Sequence, residues 1–300
     1  MINTIGVKKQ FNGFWALNGV DLNVDKGSVY GLVGPNGAGK STIIRHLTGV
    51  YKQDSGEILI DGEPVYENTS IKERIAFIPD DLFRFGADNI EDMMQFYRGF
   101  YPRFDTVRFE RLKEVFDTID PRKPIRRMSK GMQKQTAFWL AVCCSPDVLI
   151  LDEPVDGLDP VMRRQVWGLM MQDVTERGTT VLVSSHNLRE LEDVCDTVGI
   201  MNKGRVILER SLSSLQGNIT KLQVAFAEDF DIDRLTDFEI INASKLGSIH
   251  TLVVRGTQEE VRAKIAAYNP ILVDALPLTL EEIFIYELGG ENYAVKDIIL

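Results

Sequence analysis

Cysteine and histidine are scarce in this sequence, positive charge is outweighed, and no apolar run is long. Three cysteines among 300 residues, Cys143, Cys144 and Cys195, form no paired framework, and spaced pairs of zinc-ligand type are absent. A disulfide scaffold and a structural zinc site are thereby excluded, and reduced core cysteines are expected. Apolar stretches such as Ala137–Ser145 fall well short of the ~18 residues of a membrane-spanning helix. Met1-Ile2-Asn3-Thr4 lacks the basic and apolar regions of a secretion signal, so a soluble chain without a targeting segment is expected. Lys and Arg number 34 against 44 Asp and Glu, a net charge of −10. A duplex nucleic-acid binder should show a basic surplus, so no nucleic-acid partner is expected. Hydrophobic residues at 44% and charged residues at 26% are globular values, and neither repeats nor low-complexity tracts interrupt them.

The apolar residues that are present fall into short blocks. Ser28–Val33, Ile75–Ile78, Val148–Leu151 and Thr180–Ser184 are near-continuous Val/Ile/Leu runs, as expected for strands of a parallel sheet covered on both faces. Leu22–Val24 and Ile58–Ile60 predict antiparallel pairing, with a tight turn at Asp61-Gly62. From Leu82 to about Ser129 the texture is helical and rich in rings: Phe83, Phe85, Phe96, Tyr97, Phe100, Tyr101, Phe104, Phe109 and Phe116. Two readings stand side by side here, the core of a small helical subdomain and a groove for a partner helix. Ala137–Cys144 reads as a buried helix. Beyond a polar loop at Leu212–Asn218, Lys221–Phe226 and Ser248–Arg255 alternate as strands. Thr257 with Glu260 forms a capping box before a helix through Ala267, and Thr279 with Glu282 forms another before Ile283–Leu288. The boundaries expected are 1–215 for the first domain, with a helical subdomain over about 82–145, and 216–300 for a small α+β domain.

Gly34-Pro35-Asn36-Gly37-Ala38-Gly39-Lys40-Ser41-Thr42 carries the chemistry most openly. It fits G-x-x-x-x-G-K-[ST] between a buried strand and a helical run at Ile43–Leu47. The glycines let successive N–H groups converge on phosphate oxygens, and the following helix adds its positive end. Lys40 is placed to reach the β- and γ-phosphates of ATP, and the Ser41 hydroxyl to ligate Mg²⁺. By chance the pattern should occur in about one chain in a hundred of this length. A second apolar strand ends in Asp152-Glu153, where α/β proteins bind ligands. Asp152 can hold a metal's hydration shell, and Glu153 can polarise a water for in-line attack. Ser184-Ser185-His186 ends a third strand in the same way, and a contact from His186 to the γ-phosphate follows. His46 and His250 lack such placement and are assigned no role.

These motifs, in this order, resemble the ATP-binding subunits of ABC transporters over roughly residues 1–215. Met128-Ser129-Lys130-Gly131-Met132 is similar to the family signature Leu-Ser-Gly-Gly-Gln, Gly157-Leu158-Asp159-Pro160 resembles the D-loop, and His186 stands at the switch-histidine position. Phe11 stands where the family places an aromatic that stacks on adenine. The resemblance implies a P-loop NTPase α/β fold with a mainly parallel central sheet, an antiparallel β subdomain and a helical subdomain. It also implies head-to-tail dimers, homomeric or with a second ATP-binding subunit, in which each ATP meets the phosphate loop of one copy and Ser129, Lys130, Gly131 and Met132 of the other. Ser129 is a good N-cap, leaving helix N–H groups for a γ-phosphate.

Two positions depart from the family pattern. Ile78-Pro79 is followed by Asp80-Asp81 instead of glutamine, which makes Asp80 a candidate metal contact of shorter reach. Lys130 replaces the signature's first glycine. The Ser-Lys-Gly-Met signature, the acid after Pro79 and the C-terminal extension most resemble ABC-2-type exporters, within them Gram-positive multi-component drug and peptide systems including phenol-soluble modulin exporters. The implied function is an ATP-hydrolysing motor at the cytoplasmic face of the membrane, energising separate transmembrane permease subunits that export a peptide, drug or lipid-like substrate. A soluble ABC ATPase acting on ribosomes or DNA, or a non-hydrolysing ATP-binding module, would be the alternatives. Six basic residues, Arg122, Lys123, Arg126, Arg127, Lys130 and Lys134, run without an acid; a solvated face is the ordinary reading, and an anionic membrane or acidic partner loop the sharper one.

Overall fold

The computed structural model describes residues 1–81, 89–212, 219–227 and 230–288. Phe83 and Phe85 of the aromatic stretch, and the expected domain boundary at 215/216, lie outside the described residues. The chain divides into two compact units, Met1–Glu209 and Arg210–Leu300.

The first unit runs β1 (Ile2–Phe11), β2 (Phe14–Val24), β3 (Val29–Val33), α1 (Lys40–Leu47), β4 (Ser55–Ile60), β5 (Glu63–Pro64), α2 (Thr69–Lys72), β6 (Ile75–Ile78), α3 (Ile90–Phe100), α4 (Thr106–Val115), α5 (Lys130–Cys143), β7 (Val148–Asp152), α6 (Pro160–Arg177), β8 (Thr180–Ser185) and β9 (Thr197–Asn202), with β10 (Arg205–Ser211) reaching its boundary. One sheet is antiparallel in the order β2-β1-β4-β5, and the other has the order β10-β9-β3-β8-β7-β6, with β6 to β9 and β3 pairing in parallel. The four apolar blocks are strands of this parallel sheet, and β3, β7 and β8 are buried at every residue, as expected where helices cover both faces. Asp61 and Gly62 both take positive φ, the backbone of a tight hairpin turn, and join β4 to β5. Strands β9 and β10 carry no comparably continuous apolar block and were not expected from the sequence.

Apolar residues of β2 and α1, among them Leu17, Leu22, Ile43, Ile44 and Leu47, pack with Leu32, Ile150 and Leu182 of the parallel sheet in one core. This clamps the segment between β3 and α1 from both sides. Helix α5 is buried continuously from Lys134 to Cys143. Trp139 stacks on Phe109 and Phe116, with centroids 4.9 and 5.6 Å away. Its Nε1 donates to the Phe109 carbonyl at 3.1 Å, so the indole is buried with its polar atom satisfied. The aromatic stretch therefore splits. Phe109 and Phe116 are core, whereas Phe96 and Phe100 on α3 are 51% and 62% exposed. Arg108 of α4 bonds the buried Asp173 of α6 at 2.7 Å and the Val142 carbonyl at 3.0 Å, which fixes the helical part to the sheet's flanking helix.

In the second unit β11 (Ile219–Ala225), β12 (Ile240–Leu246), β13 (Ile249–Arg255), α7 (Gln258–Ala266), β14 (Leu272–Leu276) and α8 (Leu280–Leu288) follow one another. The sheet order is β12-β13-β11-β14, with antiparallel pairing throughout. Leu222, Val224, Leu252 and Val254 face Val261 and Ile265 of α7 in its core. Both capping boxes form. Thr257 Oγ1 accepts from the Glu260 amide while Glu260 accepts from the Thr257 amide, and Thr279 and Glu282 do the same before α8.

Candidate nucleotide site

Parallel strands deliver their C-terminal residues to one edge, so the loops after β3, β7 and β8 converge. Val33 is in register with Ser185, and Asp152 with Ser184. Gly34, Glu153 and His186 are thus the next residues along three adjacent strands. Two glycines of the first loop are dictated by space. A Cβ on Gly34 would sit 2.2 Å from the Met201 carbonyl oxygen, an impossible contact. Gly39 takes φ of +109°, and a Cβ there would lie 2.7 Å from the Ala16 carbonyl oxygen, so only glycine is unstrained. A cavity of about 310 Å³ is lined by Phe14, Ala16, residues 35–42, Asp80 and Glu153.

Asn36 and Gly37 are exposed on this loop and Ala38 is buried beneath it, while Ser41 and Thr42 are half-buried in the first turn of α1. Lys40 is buried, its side chain 7% exposed. Its ammonium donates to the Gly34 carbonyl at 2.6 Å and stands 3.6 Å from Glu153 Oε1. The other Glu153 oxygen lies 2.9 Å from His186 Nδ1 and accepts from the His186 amide at 3.3 Å. One carboxylate therefore spans the phosphate-loop lysine and the histidine. Asp152 is buried and accepts a hydrogen bond from Ser184 Oγ. Glu153 itself has a left-handed backbone, φ +49°, unfavourable for a non-glycine residue. Its amide donates to the Ser184 carbonyl at 3.2 Å, and its carbonyl accepts from Lys134 Nζ at 2.6 Å.

The remaining candidates are placed differently. Phe11 is 39% exposed, meets Tyr51 edge-on at 5.6 Å and is not among the residues lining the cavity; Phe14, which sequence reasoning missed, is. Its only sequence signal was proximity, as an aromatic in the same turn. Ser129 caps α5, its hydroxyl accepting from the Met132 amide at 3.2 Å. Ser129, Lys130, Gly131 and Met132 lie outside the cavity lining. A Cβ on Gly131 would approach Leu158 at 3.5 Å and the Gly157 carbonyl at 3.7 Å, so the signature-like turn adjoins the D-loop-like turn of its own subunit. Asp159 caps α6, accepting from the Val161 and Met162 amides at 2.9 and 3.0 Å. In the basic run, Arg122, Lys123, Arg126, Arg127 and Lys130 are exposed, but Lys134 is buried and corrects the reading of the whole run as a solvated face. His46 is buried, with Nδ1 2.7 Å from the Thr42 carbonyl; burial lowers its pKa and keeps the ring neutral. Burial pushes the Cys143 thiol up to about 12, which leaves it inert as a nucleophile.

The family model described as ABC transporter matches residues 17–156, which includes the phosphate loop and Asp152-Glu153. The ATP-binding protein YtrB of Bacillus subtilis is 30% identical over 292 residues, 97% of this chain and 99% of its own. The chain belongs to the ABC transporter ATP-binding family. The daunorubicin/doxorubicin resistance ATP-binding protein DrrA of Streptomyces peucetius is 34% identical over 80% of this chain and 75% of its own. A solved ATP-binding subunit of an ABC transporter superposes with a TM-score of 0.67 at 26% identity, over 72% of this chain and 92% of that one. The fold is that of the ABC ATPase cassettes, the expected activity is ATP hydrolysis, and the ligand is a nucleotide. These relatives do not favour a ribosome- or DNA-directed ATPase. No helix among the described residues is long and apolar enough to cross a membrane.

Proposed function

We propose that this chain is the ATP-hydrolysing subunit of an exporter, energising separate transmembrane permease subunits that move a drug, peptide or lipid-like substrate. The convergence of the phosphate loop, Asp152, Glu153 and His186 on one sheet edge is the observation that carries it. Residues 36–42 hold the phosphates, with Lys40 against the transferred group. Glu153 orients and deprotonates the attacking water, and His186, bonded to the same carboxylate, holds that carboxylate and meets the γ-phosphate. Phe14, at the rim of the cavity, borders the base. Two copies, or this chain and a second ATP-binding subunit, close head to tail, so that Ser129, Lys130, Gly131 and Met132 of one meet the γ-phosphate held by the other, with Asp159 beside the shared face. Losing that phosphate opens the pair.

Mg²⁺ fits the donors present. The Ser41 hydroxyl and the Asp152 carboxylate are hard oxygen ligands, and among the described residues no cluster of three or more His, Cys, Asp or Glu could hold a metal alone. That is the pattern of an ion bound chiefly through substrate phosphates. It would neutralise charge on the β- and γ-phosphate oxygens. Asp80 lines the same cavity, but its carboxylate faces Lys134 at 3.4 Å.

A second cavity, of about 490 Å³, lies between Thr69, Lys72 and Glu73 on one side and Phe96, Tyr97, Phe100 and Tyr101 on the other. Tyr101 pins its wall, its hydroxyl donating to the Ile75 carbonyl of β6 at 3.0 Å. An apolar groove on an ATPase unit suits a short amphipathic helix of the permease. Purification of the tagged chain in detergent from its host's membranes tests the reading. Co-purification of a polytopic membrane protein, lost on Phe96→Ser/Phe100→Ser substitution with ATPase activity retained, is expected. Ribosomes, DNA or no partner in the eluate would overturn the transport assignment and leave the ATPase chemistry standing.

A further inference from the structure

We propose that Lys134 is a positioning residue of the ATPase site and that Asp80 is its counter-ion, so that the helix beginning at Ser129 is tied directly to the peptide of Glu153 in the same subunit. This rests on the catalytic reading of Glu153 given above.

Lys134 lies in the second turn of α5, at the start of a run buried through Cys143. An ammonium in such a place must be compensated. Its side chain is 9% exposed and its partners come from two other elements. Nζ donates to the Glu153 carbonyl oxygen at 2.6 Å and reaches Asp80 Oδ1, just beyond β6, at 3.4 Å. The first contact falls on a strained peptide that needs holding. Glu153 carries its side chain into the site from a left-handed backbone, and such a conformation persists only when its surroundings over-determine it. The Ser184 carbonyl fixes the amide side of that residue, and Lys134 fixes the carbonyl side. Together they set the direction in which the carboxylate leaves the strand, toward Lys40 and His186.

Asp80 is 58% exposed at its side chain and borders the nucleotide cavity. Its charge balances Lys134 from the solvent side. The aspartate that departs from the family pattern after Pro79 and the lysine that the basic run concealed are therefore one interaction. Because Lys134 is five residues beyond Ser129, about one and a half helical turns, displacement of the start of α5 is transmitted to the Glu153 peptide.

Steady-state ATPase of Lys134→Met, Lys134→Arg, Asp80→Asn and the Lys134→Met/Asp80→Asn double variant tests this, with nucleotide affinity from fluorescent ATP binding, Mg²⁺ titrations and thermal midpoints. Lys134→Met should lower kcat by ~10- to 100-fold, the scale of a misplaced catalytic group, while KM and nucleotide affinity stay within about threefold. Lys134→Arg should recover most of kcat, Asp80→Asn should show a smaller kcat loss, and the double variant should be no worse than Lys134→Met, as expected for groups acting as a unit. If Lys134→Met does not fold, Asp80→Asn and Lys134→Arg decide the matter at sites that keep the buried ammonium or its charge. Unchanged kcat in Asp80→Asn and in Lys134→Met, or additive losses with a raised Mg²⁺ requirement in Asp80→Asn, would overturn the proposal, the latter by making Asp80 a metal-side group. Glu153→Gln serves as reference. If it also retains turnover, the catalytic reading itself fails; if it alone loses turnover, only the role of Lys134 does.

Discussion

The N-terminal unit holds a largely parallel sheet beside an antiparallel one, whereas the sheet of the C-terminal unit, among the described residues, pairs antiparallel. In the N-terminal unit β3, β7 and β8 run the same way and are buried along their whole lengths. In the C-terminal unit β11 runs against both β13 and β14 and alternates between buried and half-buried positions. Parallel strands release their next residues at a common edge, so Gly34, Glu153 and His186 meet although more than 30 residues separate each from the next. Antiparallel neighbours release theirs at opposite edges, and the C-terminal sheet, among the described residues, brings together no comparable set. Its buried histidine, His250, pairs in register with Val224 and Lys245, and burial lowers its pKa. That is a core position.

The sharpest way to break the comparison is to remove the carboxylate from the parallel edge. Glu153→Gln should lower ATPase kcat by ~10²- to 10⁴-fold, the usual contribution of a positioned base, with nucleotide binding retained in a fluorescence titration. Gly34→Ala attacks the edge through space instead. Its Cβ would meet the Met201 carbonyl at 2.2 Å, and loss of both soluble folded protein and nucleotide binding is expected in thermal unfolding and titration. On the antiparallel side, Leu252→Ala should cost roughly 2–5 kcal/mol of that unit's stability, read from faster hydrogen exchange of β11 and β13, because Leu252 is 1% exposed in its core.

The smallest effect concerns pH. Burial alone would raise the Asp147 pKa, but the bonds from Arg74 and Arg103 more than offset it and hold the carboxyl below the usual carboxylate range. A depressed folded-state pKa stabilises the fold above the unfolded value near 4, and the contribution is lost as pH falls from there through the folded value. Asp147→Asn should therefore lower stability by ~1 kcal/mol at neutral pH, and its deficit against the parent chain should close below about pH 4. A deficit that keeps its neutral-pH size as the pH falls below about 4 would mean that lost packing or hydrogen bonds, and not charge, is responsible.

Much of this arrangement is legible in the sequence. The four apolar blocks announced the parallel strands, because strands covered on both faces have no polar face to show. The phosphate loop was legible because its glycines answer local demands, a positive φ at Gly39 and the closeness of Met201 to Gly34. Both helix boxes in the C-terminal unit were legible for the same reason, since Thr257 with Glu260 and Thr279 with Glu282 act within one turn. Strands β9 and β10 were not, because their residues are neither uniformly apolar nor cleanly alternating.

The sequence by itself determined the chemistry available: a phosphate-cradling loop, two acids and a histidine at strand ends, and a helix capped by Ser129. Each depends on residue type and short-range spacing. Tertiary structure alone decided which groups touch. Lys134 belongs by sequence to a solvated basic run, yet one turn of helix and the burial of α5 carry it to the Glu153 peptide and to Asp80, which lies 54 positions earlier in the chain. The nine rings between 82 and 129 look alike in sequence, yet stacking on Trp139 makes Phe109 and Phe116 core, while Phe96 and Phe100 border a groove. Contacts of this kind depend on where two distant segments cross, and the crossing is set by the packing of the whole unit, which no local pattern encodes.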